Sequence, residues 1–184
     1  VAQQIPCLWA RYTVRRVTIN AISYVNDLYP LTRYSTFQTH CVCSLVDVFC
    51  RAVHHIDDQY YDQKQKNVWA PLPADMDFWY RRFAQTHPWV ALVHQRVAGF
   101  IELDEQGHID CLYVDPDFQQ QGIGAALLQH VIQQAQQQGL TQLSTDASRC
   151  ARTLFLQHGF TEQNIQEVRR RGVMLANHQM LRTL

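Results

Sequence analysis

The chain has 184 residues, 47% hydrophobic and 11% aromatic, which is enough for one buried core and too little for two full domains. Its 16 basic and 16 acidic residues cancel, so a nucleic-acid partner is not expected. No run approaches the roughly 20 apolar residues of a membrane span and the opening residues lack the order of a secretory signal, so the expectation is a cytoplasmic protein without a membrane partner.

Residues 1–26 carry Arg11, Arg15 and Arg16 and no acidic residue. This segment reads as an N-terminal extension of uncertain role: an added strand within "RYTVRRVTI", a basic arm, or sequence that the working domain does not use. Residues 27–184 read as a single domain. It begins with a short strand in "LYPLTRYS", followed by Ser35 or Thr36 as the cap of the helix "FQTHCVCSLVDVFCRAVHHI". Val42, Leu45, Val46, Phe49 and Val53 recur at spacings of three and four, giving that helix one core face. A second helical stretch, "DDQYYDQKQKNVWA", ends at Pro71, and a third, "ADMDFWYRRFAQT", ends before Pro88.

Three strand signals follow, "WVALVHQ", "RVAGFIELDE" and "HIDCLYVDP", joined by turns at Gln95 to Arg96 and at "EQGH". Connections this short make the strands antiparallel neighbours. The third is apolar on nearly every residue, which suits the middle of a sheet, and it stops at Asp115 because Pro116 cannot pair. A helix then starts near Gly122, with Ile123, Leu127, Val131 and Ala135 on one face, and ends at Gly139. "TQLSTD" reads as a strand, "SRCARTLFLQH" as a helix closed by Gly159, and "FTEQNIQEVRR" with "VMLANHQMLRT" as a final strand pair about Gly172. The order implies an α/β (α+β) fold: a mixed, mostly antiparallel central sheet flanked by helices.

Six cysteines, Cys7, Cys41, Cys43, Cys50, Cys111 and Cys150, form no CxxC pair and read as buried reduced thiols. His40, Cys41 and Cys43 crowd together in sequence, but on a helix Cys43 shares a face with Cys50 rather than Cys41. No metal is expected.

The stretch "LYVDPDFQQQGIGAALL" carries the chemistry. A strand that leads through a glycine loop into a helix presents unpaired N–H groups at the positive end of the helix dipole, and phosphate is the natural guest. Gly122 and Gly124 allow unusual backbone angles and close approach. Three glutamines supply no charge, so binding rests on backbone amides. Ala125 and Ala126 stand where a P-loop needs Lys and Ser or Thr, and Leu127 stands where a dinucleotide fingerprint needs a small residue. A diphosphate at a helix N-terminus in a mixed sheet remains.

These residues resemble a known family. Gln119, Gly122 and Gly124 match the Q/R-x-x-G-x-G/A signature of the GNAT N-acetyltransferases, "STDASRCARTLFLQHGF" is similar to that family's fifth strand and fourth helix, and the combination of "FCRAVHHIDDQYYDQKQKNVWAP", "HIDCLYVDP" and "TDAS" looks closest to the family's YafP-type bacterial branch. The resemblance covers residues 27–184. It implies acetyl-CoA as acyl donor and a primary amine, of a small molecule or a protein, as acceptor, with direct transfer in a ternary complex and without metal. It implies a cofactor loop of Gln119, Gln120, Gln121, Gly122, Ile123, Gly124 and Ala125, and a bulged strand whose amides at Leu112, Tyr113 and Val114 meet the pantetheine arm. Ser148 falls where the family often has an asparagine facing that arm, although it would equally cap the next helix. A homodimer stays open.

An acceptor ammonium must lose a proton before attack. Asp110, about 13 Å along the strand from Val114, and His108 are the candidate bases, although the first would also suit a pairing with a neighbouring strand and the second a turn. The family's usual general acid is a tyrosine at the position of Phe155, so either the thiolate would depart solvated or Tyr113 would stand in, although Tyr113 would equally suit simple strand packing. That departure keeps a second reading alive, an acyl-CoA-binding or regulatory module that turns over weakly. "HHIDDQYYDQ", with His54, His55, Asp57, Asp58, Tyr60 and Tyr61, and Trp69 beyond it, would suit a cationic amine, and would equally suit a solvated helix turn with scattered aromatics. Arg169, Arg170 and Arg171 read as decoration of an edge strand.

Overall fold

The computed structural model describes residues 13–16, 32–94 and 96–184. Twelve elements run in the order β1 (Thr13–Arg16), α1 (Thr32–His54), α2 (Gln63–Trp69), α3 (Met76–Thr86), β2 (Trp89–Val93), β3 (Arg96–Leu103), β4 (His108–Val114), α4 (Ile123–Gln137), β5 (Gln142–Ser148), α5 (Arg152–Gln157), β6 (Thr161–Arg170) and β7 (Val173–Thr183). The strands form one sheet in the order β1-β2-β3-β4-β5-β7-β6. Every neighbouring pair is antiparallel except β4 and β5. The expected mixed, mostly antiparallel sheet is therefore present, with the third meander strand at its centre.

Both faces of that sheet are covered. On one, Val42, Leu45, Val46, Phe49 and Val53 of α1 pack with Phe83, Phe100 and Cys111. On the other, Ile123, Leu127, Val131 and Ala135 of α4 pack with Ile101, Ile109, Leu143 and Phe155. Each of the fully buried Leu, Ile and Phe side chains stabilises the fold by about 1.5–3 kcal/mol relative to exposure. The predicted faces of both long helices are thus the ones that bury.

Several boundaries differ from the sequence reading. Helix α1 already runs from Thr32, so Ser35 and Thr36 lie inside it rather than capping it, while residues 28–31 of the expected short strand lie outside the described residues. Within the N-terminal extension only Thr13–Arg16 is described, and it is an edge strand on β2. The second helical stretch shrinks to Gln63–Trp69 because Asp62 caps it, accepting from Gln65 N–H at 2.8 Å while the Gln65 side chain accepts from Asp62 N–H. Asp57 and Asp58 fall in the turns before it, where Asp58 pairs at 2.5 Å with the buried Lys66. Gln95, half of the first expected meander turn, lies outside the described residues. Helix α5 starts only at Arg152, since "SRC" is spent on the end of β5 and a turn. The thiols also divide: Cys50 and Cys111 are buried, whereas Cys43 and Cys150 are exposed and free.

Two register features shape the site. Glu102 faces Cys111 and Leu103 faces Ile109, which leaves Asp110 unmatched as an extra residue in β4. The extra residue shifts the alternation by one, so Ile109, Leu112 and Val114 face α4 while Cys111 and Tyr113 face α1. The register slip therefore sits at Asp110, not at Leu112 to Val114, where the family resemblance had put it. Second, β4 and β5 pair only at His108 with Ser144 and Ile109 with Thr145. Beyond those two positions β4 follows β3 and β5 follows β7, and the sheet opens between them.

Candidate active site

The opening between β4 and β5 holds two adjoining compartments. One, of about 150 Å³, runs from Val114 and Gln119 past Leu112 and Ser148 to Asp110, with Ala151 and Phe155 as its outer wall. The other, of about 190 Å³, lies against β6 and β7 and is walled by Tyr61, Val168, Arg170, Leu175 and Asn177. Both are lined by Trp69, Asp110, Tyr113, Asp146 and Ser148, so these five residues mark the junction.

Val114 and Gln119, at one end of the first compartment, bracket the start of the glycine loop. Asp115, almost fully buried, anchors it: its N–H donates to Ala98 O at 2.9 Å, its carboxylate accepts from Asp117 N–H at 2.9 Å, and Arg51 pairs with it at 2.8 Å. Arg51 and Arg96 also reach Asp117, at 3.1 and 3.3 Å, and the Asp117 carboxyl is held below its ordinary range mainly by the Arg51 hydrogen bond. Gln119 and Gln121 brace the loop by donating to Val114 O and Asp117 O, both at 3.1 Å. Gly122 sits in the left-handed region at φ 85° and offers α4 no side-chain cap. The first intrahelical bond is Ala126 N–H to Gly122 O at 2.9 Å, so the amides of Ile123, Gly124 and Ala125 precede the helix's own acceptors. The nearby cations Arg51 and Arg96 are committed to Asp115 and Asp117. A Cβ at Gly124 would stand 3.4 Å from Leu154 and 3.6 Å from Val114, ordinary van der Waals contact, so the packing of α4 does not itself demand glycine there.

Of the proposed acid-base residues, the structure brings Asp110 and Tyr113 to the junction but not His108. His108 stands at the start of β4, where Nδ1 and Ser144 Oγ share a hydrogen bond of 2.9 Å, and it lines neither compartment. The Asp110 carboxylate is engaged by Arg82, which also grips the buried Glu102 and approaches Cys111 Sγ at 3.5 Å. Glu102, Asp110 and Cys111 converge closely, but Arg82 already serves as their cation. Burial, reinforced by Glu102, pushes the Cys111 thiol well above its ordinary pKa.

Tyr113 is clasped by Phe49, Trp69 and Phe100. Its hydroxyl accepts from Trp69 Nε1 at 3.1 Å, and burial drives its pKa well above the ordinary value despite a downward pull from Trp69 and Arg170. It therefore keeps its proton near neutral pH, and the bond from Trp69 engages the oxygen rather than that proton. Ser148 both lines the junction and serves the turn before α5: Oγ accepts from Ala151 N–H at 3.3 Å and contacts Cys150 Sγ at 3.1 Å. Phe155, on the wall of the first compartment, is buried against Phe160.

Sequence reasoning missed Asp146. This exposed carboxylate on β5 lies beside Asp110 across the opening and, among the described residues, has no ion-pair or hydrogen-bond partner. Its only signal in the sequence was an acid inside an otherwise uncharged strand. The acceptor cluster expected from "HHIDDQYYDQ" largely disperses: His54 bonds Ala70 O, Asp58 pairs with Lys66, and Asp57 accepts from Gln59 N–H. Tyr61 alone reaches the second compartment from that run, its hydroxyl donating to Ala176 O at 2.7 Å and accepting from Arg149 N–H at 3.0 Å. Arg170, read as edge decoration, instead lines the compartment.

Comparison with known proteins follows the same geometry. A family model described as "Acetyltransferase (GNAT) domain" matches residues 57–182. The chain is 33% identical over 136 residues to the N-acetyltransferase YafP of Escherichia coli strain K12, covering 74% of this chain and 85% of that protein. Its fold is similar to a GCN5-related N-acetyltransferase from Rhodopseudomonas palustris, with TM-score 0.77 and 23% identity over 94% of this chain and 95% of that one. It is also similar to the PaiA N-acetyltransferase of Thermoplasma acidophilum solved with coenzyme A, with TM-score 0.68 and 12% identity over 94% and 99% of the two chains.

Proposed function

The chain belongs to the GNAT acetyltransferase family, and from that premise we propose that it moves an acetyl group from acetyl-CoA to a primary amine while both substrates are bound. The observation that carries this reading is the pair of compartments meeting at Asp110, Tyr113, Asp146 and Ser148, one of them reaching Val114 and Gln119 at the start of the loop that leads into the uncapped end of α4. Acetyl-CoA would supply an activated acetyl group as a thioester. Ile123, Gly124 and Ala125, with Gln119, Gln120, Gln121 and Gly122 forming the loop, would hold its diphosphate, and Leu112, Val114 and Ser148 would flank its arm.

The amine nitrogen forms the new C–N bond as the C–S bond breaks, so one proton must leave nitrogen and one must reach sulfur. Asp146 is the proposed base. Its carboxylate is unpartnered and lines both compartments, whereas that of Asp110 is held by Arg82 and His108 stands away. Tyr113 is the proposed acid, since it stands at the junction and accepts, rather than donates, in its bond with Trp69. We assign the activity to the cytoplasm and the working unit to residues 27–184; no helix among the described residues is long and apolar enough to cross a membrane.

Acetyl-CoA turnover across an amine panel tests the reading, with calorimetry of coenzyme A binding beside it. An Ala125→Asp variant places a carboxylate in the first turn of α4, where it favours the helix by about 0.3–1 kcal/mol yet repels a diphosphate. Coenzyme A affinity should fall at least about tenfold while thermal stability holds. Unchanged affinity in that variant overturns the proposed cofactor site. Tight binding without turnover on any amine favours the binding module, the reading that Phe155 keeps open.

A further inference from the structure

The charges of the second compartment are arranged with polarity. Arg82 is shared between Glu102 and Asp110, so that group keeps a net negative charge at the junction, while Asp146 and Arg170 are the charged groups on the wall without an ion-pair partner among the described residues. Asp146 stands at the junction and lines both compartments, whereas Arg170, at the end of β6, lines only the second. Val168 and Leu175 on the β6–β7 side supply apolar wall in the same compartment. A further polar group completes the negative end: the side-chain oxygen of Asn177 is buried and lacks a hydrogen-bond partner, and Asn177 pairs in register with Ser148 at the junction. It can accept from an ammonium N–H.

We infer that the acceptor is a small aminocarboxylate, its ammonium drawn to Asp146 and Asn177 beside the donor compartment and its carboxylate received by the Arg170 guanidinium. A guanidinium presents paired N–H donors that match a carboxylate, which makes it a selective receiver rather than a diffuse charge. Size points the same way. At about 190 Å³ the compartment falls below the span of roughly 300–1,000 Å³ typical of sites for drug-sized ligands. The polarity also sets orientation, because a zwitterion turned the other way would place carboxylate against Asp146 and ammonium against Arg170. The inference takes the transferred group from the acetyltransferase reading but stands on binding polarity.

The test uses the full chain loaded with coenzyme A or acetyl-CoA. Each standard amino acid, β-alanine and γ-aminobutyrate is compared with the amine that lacks the carboxylate and with its amide, by calorimetric binding and by acetylation. At least one aminocarboxylate should bind and be acetylated with kcat/KM about tenfold or more above both partners, mainly through KM. Arg170→Gln should bring the three within about threefold of one another, and Arg170→Lys should keep part of the preference because it keeps a point charge. Binding of no aminocarboxylate, a winning amine without carboxylate, or a preference that survives Arg170→Gln overturns the inference. Arg170-dependent binding without acetylation upholds the substrate class and overturns the transferase reading instead.

Discussion

The donor end and the acceptor end of the cleft are built from different materials. At the donor end, the strand β4, the loop and α4 follow one another in the chain, and what they present is mostly backbone: amides uncapped at Gly122 and cations tied up by Asp115 and Asp117. At the acceptor end the wall is side chains, brought from the α1–α2 turn, β4, β5, β6 and β7. A backbone site tolerates many sequences provided the loop geometry holds, whereas a side-chain site depends on each group in turn.

That contrast can be broken or sharpened by substitution. The largest effect is expected at the junction: Asp146→Asn should lower kcat/KM by about 10²–10⁴, the usual range for loss of a proton-transfer group, with coenzyme A affinity kept. If Asp110→Asn does this and Asp146→Asn does not, the base has been misassigned. Tyr113→Phe should follow, lowering kcat about tenfold as the proton to sulfur is lost, and costing about 1 kcal/mol of stability as Trp69 loses its acceptor. Equal kcat in that variant would mean that the thiolate leaves without a protein acid. In the donor loop, by contrast, Gln120→Ala should change coenzyme A affinity by less than about threefold, because an exposed side chain there supplies no charge to a backbone-built site. A larger loss would show that side chains, not amides, hold the diphosphate.

The smallest effect concerns acid. Glu162 lies on β6, its carboxyl lowered chiefly by the Arg152 hydrogen bond and further by His178, and Asp117 in the donor loop is lowered chiefly by Arg51. Folding thus favours the ionised form of each. The contribution is complete above the ordinary carboxylate range and disappears as pH falls through the lowered folded values. Thermal melts from about pH 6 down to about pH 3 should decline, with a shallower slope in Glu162→Gln. An unchanged slope would mean that the Arg152 pair is idle in solution.

The same contrast explains what the sequence made legible. Helix faces, the meander and the uncapped loop all follow from residues close together in the chain, where period and punctuation act directly. Asp146 and Arg170 could not be placed together that way, because their meeting depends on β5 pairing with β7 and β7 with β6. The slip at Asp110 was hidden for another reason. When nearly every residue of β4 is apolar, moving the alternation by one leaves no mark in the pattern. The dispersal of the Asp57–Asp58 cluster turned on the buried Lys66, whose ammonium donates to Asp58 and to Ile56 O, a pairing no local rule announces.

The two-position contact between β4 and β5 has a mechanical side. Two stiff plates, β1 to β4 and β5 to β7, are stitched along a short seam by those pairs, by the Thr145 hydroxyl donating to Ile109 O at 2.8 Å, and by the His108–Ser144 bond. Thr145→Val would remove one of these stitches, at the point where the two halves of the sheet part company and the cleft begins.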